Sequence, residues 1–158
     1  MYLPTTPTRE ILERLLFPPM LRLCPSVRPH WDGLANVGLV IVERRDPLLD
    51  NGAGYTCAEY VFSTLLGEEW VGRRAPAALF SDTHSFLERR GYVEITPTFE
   101  GEVVIYGVDI KGRFQAQHFG MATEGKVVSK FEAGHVVLHD LEAVPSSYGD
   151  TVRFYRKN

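Results

Sequence analysis

Cysteine is scarce in this chain. Cys24 and Cys57 are the only two among 158 residues, which excludes a disulfide-built scaffold and leaves no CxxC pair for a structural metal cluster. Basic tracts are missing too. With 17 basic and 20 acidic residues the net charge is −3, whereas a nucleic-acid partner calls for clustered positive charge. No apolar run approaches the roughly 20 residues of a membrane helix, and the opening MYLPTTPTRE lacks the charged start and apolar stretch of a signal peptide. These absences predict a cytoplasmic protein with no membrane partner, although export by a specialised secretion system, or release by phage lysis, needs no such signal. NGAGYTC has neither a Walker lysine nor GxGxxG spacing, so no phosphate cradle is predicted. No cofactor or metal is implied, and the oligomeric state is not set by the sequence.

What is present suits one core. At 158 residues, 44% of them hydrophobic, the chain is too short for two ordinary domains. We read a single domain over 1–158, with an N-terminal extension and loop over 1–54 and a core over 55–158. Residues 9–17 place Ile11, Leu12, Leu15 and Leu16 on one helical face, and Pro18 and Pro19 stop the pattern. A proline-rich crossing follows, then Val37, Leu39, Val40, Ile41 and Val42 predict a mostly buried strand. After the turn-forming Asn51-Gly52-Ala53-Gly54, residues 56–67 carry Cys57, Tyr60, Val61 and Leu65 at helical spacing and end on Gly67, a natural C-cap. Residues 81–91 predict another helix, with Ser81 as N-cap and Gly91 at the end.

From Tyr92 onward the character becomes β, in short β-branched or aromatic runs separated by turn residues. Helices first and strands after predict an α+β fold, with N-terminal helices packed on a five- to six-stranded antiparallel sheet.

Cysteine is a nucleophile only as the thiolate, which a helix N-terminus and a nearby imidazole favour. The pattern puts Cys57 in the first turn of a helix, behind a loop small enough to leave the sulfur open. The five histidines are His30, His84, His118, His135 and His139. His118 lies on a strand with the small residues Gly120 and Ala122 on the same alternate face, which would leave room for a substrate or for the helix bearing Cys57. Cys24, among prolines, reads as a small buried hydrophobe and not as a bridge partner, because the chemistry needs Cys57 as a thiol.

The motifs Thr56-Cys57-Ala58, Gly101-Glu102-Val103-Val104-Ile105-Tyr106 and His118-Phe119-Gly120-Met121 resemble the NlpC-type branch of the papain-like cysteine hydrolases. Ser129-Lys130, His139 and Tyr148-Gly149 look like an uncharacterised bacterial subgroup of it. The resemblance covers residues 55 to 156. It implies Cys57 as nucleophile, His118 as base, Ser129 or His139 as the residue orienting the imidazole, and an oxyanion site made by the Cys57 amide with Tyr55. The usual Asp before and Ser after the cysteine are Thr56 and Ala58 here. The implied function is a thiol hydrolase, a peptidase or amidase acting on a peptide or amide substrate. An acyltransferase, or a catalytically inactive binding or regulatory module of the same fold, is the alternative.

Overall fold

In the computed structural model of the chain, the described residues are 1–17, 31–43, 56–70, 75–131 and 135–158. The fold is α+β, built on one antiparallel sheet of seven strands in the order β1-β6-β5-β4-β3-β7-β2. All six runs that follow residue 91 become strands: β2 (Tyr92–Glu94), β3 (Val103–Ile110), β4 (Arg113–Thr123), β5 (Lys126–Lys130), β6 (Val136–His139) and β7 (Thr151–Lys157). The seventh, β1 (Val40–Glu43), joins the same sheet by pairing with β6, so the count exceeds the expected five or six. It is also not buried. As an edge strand it leaves Val40 58% and Val42 52% exposed, and residues 31–37 before it form a 3₁₀ helix.

Both faces of the sheet are covered. One carries the segment that opens at Cys57, together with α3 (Ala77–Ser81) and α4 (Thr83–Glu88), packed on Val103, Ile105, Phe114, Ala116 and Phe119. The other carries α1 (Pro7–Leu16) and the 3₁₀ helix, packed on Val104, Tyr106, Ala122, Val127, Val137, Val152 and Phe154. Helix α1 starts where Thr6 accepts a hydrogen bond from the Arg9 amide. It buries Leu12 and Leu16 while Ile11 stays 39% exposed.

The helix predicted over 81–91 is found as the shorter α4, and a separate helix, α3, precedes it. Ser81 ends α3 instead of capping a new helix, and Asp82, at φ −145° and ψ 62°, breaks the run between them. Thr83 then turns its hydroxyl inward to accept from the Ala116 amide at 3.0 Å.

Within β3 and β4 the pairing runs Tyr106↔His118 and then Gly107↔Ala116, so Gln117 is an extra residue, a β-bulge. A side chain on Gly107 would come within 2.9 Å of the Phe114 ring and closer still to the Gln115 carbonyl, so glycine is required where the strands kink. The bulge reverses the alternation along β4. Phe114 and Ala116 before it and Phe119 after it face the Cys57 side, while Ala122 faces the other.

Candidate functional site

Cys57 is the first residue of α2 (Cys57–Glu59), which continues as a π-helical stretch over Tyr60–Leu65. The helix begins there because Thr56 and Glu59 form a capping box. The Thr56 hydroxyl accepts from the Glu59 amide, and Glu59 Oε2 accepts from the Thr56 amide at 2.6 Å. Glu59 Oε1 also takes the Ala75 amide at 2.9 Å, tying the helix start to the loop before α3. Thr56-x-x-Glu59 is the sequence signature of this box. Gly67, at φ +67°, follows the last turn as expected of a C-cap glycine. Cys57 is a thiol and is 9% exposed, packed into the core on its face of the sheet.

His118 does not join it. The imidazole is 1% exposed and stacks on the Tyr148 ring at 4.0 Å and 13°. It also meets Tyr106 at 5.7 Å and Phe131 at 5.4 Å. All three rings belong to the core under α1, so the sheet lies between the Cys57 thiol and the His118 imidazole, and the expected pairing of the two is corrected. The cause is the bulge. In an unbroken alternation His118, two residues after Ala116, would share the face of Phe114 and Ala116, which is the face of Cys57.

Three of the four residues singled out as catalytic do come together, on the side away from Cys57. Ser129 Oγ is 2.8 Å from His139 Nε2, and His139 Nδ1 is 2.8 Å from the Asp140 carbonyl. A carbonyl only accepts, so Nδ1 carries the proton and Nε2 receives the Ser129 hydroxyl. His139 reaches Tyr106 and Phe131 as well, the rings that also flank His118. The order of hydroxyl, imidazole and acceptor is that of a nucleophile and its base, but Ser129 and His139 are both 0% exposed, and no substrate reaches them there. The space expected beside Gly120 is filled, since a Cβ at that position would lie 3.1 Å from Ser129 Cβ.

Burial sets the charge state of both imidazoles. It pushes His139 down to about 4, against the hydrogen bond to the Asp140 backbone. Burial and then the neighbouring His139 hold His118 well below the ordinary histidine range. Both are neutral at pH 7. His118 Nε2 is buried with no hydrogen-bond partner among the described residues.

The other expected site features are elsewhere or outside the described residues. Tyr55, the second oxyanion donor, lies outside them, as do Cys24 and His30. His84 Nδ1 stands 3.2 Å from the Tyr155 hydroxyl and 3.8 Å from Glu94 on the surface. His84 also lines a depression of about 330 Å³ with Asp82, Ser85, Arg113, Phe114 and Arg153. Arg153 there is already paired with Glu94 at 3.3 Å and Asp109 at 2.9 Å, so the lining has no marked excess of charge.

Glu102, in the motif before β3, is buried and structural. It accepts from the Thr98 amide at 2.8 Å, the Glu100 amide at 2.6 Å and Arg156 at 2.9 Å, and also from the Thr98 hydroxyl. Among the described residues no group of three or more His, Cys, Asp or Glu side chains is placed to hold a metal ion, and no helix is long and apolar enough to cross a membrane. Compared with family models, curated proteins and solved structures, the chain matches none.

Proposed function

We propose that this domain is a binding or regulatory module on an NlpC-type, papain-like core, not a working thiol hydrolase. One observation carries the reading: Cys57 and His118 sit on opposite faces of the same sheet. A base must come within about 3 Å of the proton it removes, directly or through one water, and an intervening sheet prevents both. The papain-like part of the proposal rests on the helix that opens at a cysteine and packs against an antiparallel sheet. His118 and His139 have their partners on the face opposite the thiol, Tyr148 and Ser129 respectively.

Thiol chemistry gives the test. In a Cys24→Ser background, Cys57 should react with iodoacetamide at pH 7 at least roughly tenfold more slowly than a small exposed thiol, since at 9% exposure the core shields it from the reagent. His118→Leu should leave that rate unchanged. A native Cys57 that alkylates faster than the exposed thiol, and loses that advantage on His118 replacement, would restore the hydrolase.

A further inference from the structure

We propose that the layer formed by α1 and the 140–150 segment is released from the sheet by acid, with the buried imidazoles of His118 and His139 as the trigger. The two side chains reach one face from strands separated only by β5 and share contacts with Tyr106 and Phe131. His118 stacks on Tyr148, which closes the 3₁₀ turn Ser146–Tyr148. That turn is clamped to α1. The buried Arg9 guanidinium donates to the carbonyls of Leu3, Pro145 and Gly149, and Glu13 accepts from the Ser147 amide at 2.9 Å. A continuous line of contacts therefore runs from the imidazole to α1.

Among the described residues no carboxylate is hydrogen-bonded to either imidazole. From β3 comes the Tyr106 hydroxyl, which donates to the Leu141 carbonyl at 3.1 Å. From β5 come Ser129, already bound to His139, and Lys126, which is paired with Asp140 at 2.6 Å. From α1 come Arg9, itself a buried cation, and Glu13, which holds the Ser147 amide. From the 140–150 segment come the Tyr148 ring, Asp140 with Lys126 on it, and Asp150, whose charge acts on Arg9.

Protonating His118 puts a cationic N–H at Nε2, where no acceptor stands among the described residues. Protonating His139 turns the acceptor of the Ser129 bond into a donor. Stacking of an imidazolium on Tyr148 returns part of this loss, but a buried unpaired charge costs more than one such contact gives.

The sign follows from linkage. In the closed layer both imidazoles titrate below their ordinary value of 6.5, so the released state binds more protons, and closure weakens as pH falls from about 6.5 toward 4. With His139 at about 4 when closed, that residue alone shifts the balance toward release by roughly 20-fold between pH 7 and pH 5. His118 adds to it.

Hydrogen exchange read by mass spectrometry tests this. Protection factors in 7–16 and 140–150 should fall at least roughly 20-fold from pH 7 to pH 5, while those in β3 and α4 hold. A fall under threefold, or an equal fall in every segment, overturns the proposal. The double variant His118→Leu, His139→Gln should lose the response, and one that keeps it in full assigns the trigger to another group. If that variant does not fold, NMR titration of the wild-type imidazoles decides. Both should titrate together with loss of α1 protection, and titration near pH 6.5 with α1 still protected is equally fatal.

Discussion

Replacing Gly149 by alanine is expected to destabilise the fold by roughly 3–5 kcal/mol, the sum of backbone strain and overpacking. Gly149 adopts φ 95° and ψ 173°, a region open essentially to glycine alone. A Cβ there would also stand 2.8 Å from the Gly107 Cα and closer to its carbonyl, so backbone meets backbone and no rotamer change relieves the clash. The same residue's carbonyl receives Arg9, which joins strand β3, the turn before β7 and α1 at one point. For a chain of this size the loss lowers Tm by roughly 10 °C or more. Gly112→Ala is the control, because Gly112 has φ +77° with nothing within 4 Å of an added Cβ and should cost only about 1–2 kcal/mol. Equal losses at the two sites would show that close approach to Gly107 is not the constraint.

The second large effect is expected at Glu102, where substitution by alanine should cost roughly 3 kcal/mol at pH 7. Burial opposes the charge on this carboxylate, but hydrogen bonds from the Thr98 side chain and the Thr98 and Glu100 amides outweigh it and hold the group down to about 2. A carboxyl depressed in the folded state contributes stability that is complete above its unfolded value near 4.5 and is lost as pH falls toward 2. Alanine also strands the Thr98 and Glu100 amides, which adds to the cost. Urea denaturation from pH 7 to pH 2.5 separates the contributions. Glu102→Gln should flatten the loss below pH 4.5 and leave the histidine-driven loss between pH 6.5 and 4 in place. An unchanged acid limb in that variant would mean the carboxylate is not held as described.

Much of the fold is legible without coordinates. The six strand segments after residue 91, the helix over 9–17, the start of the helix at Cys57 and its end at Gly67 all follow from local periodicity and caps, and each is found. Local chemistry determines these because a strand's alternation or a helix's first turn involves only neighbours in sequence. Two further local signals stand in the sequence. Thr56-x-x-Glu59 announces its capping box, and Gly107, isolated within a strand pattern, is the usual mark of a bulge. The edge position of β1 was not legible, since a run such as Val40-Ile41-Val42 reads the same whether one neighbour strand flanks it or two.

The sequence by itself determined the α+β class, the order of the elements and the composition of the candidate site: a cysteine at a helix start, and a histidine, a serine and a second histidine on strands. Tertiary structure alone decided which of them meet. Ser129 and His139 lie on adjacent strands and bond across the β5–β6 register, whereas the face on which His118 emerges depends on the count of residues between it and Ala116. The bulge at Gln117, accommodated by Gly107 and by the Thr83 hydroxyl on the Ala116 amide, takes that residue out of the alternation. A side chain's face in a strand repeats every two residues, so Gln117 bulging out instead of taking its place in register, as packing between β3, β4 and α4 sets it, sends the imidazole into the core under α1 and leaves the thiol on the other side of the sheet.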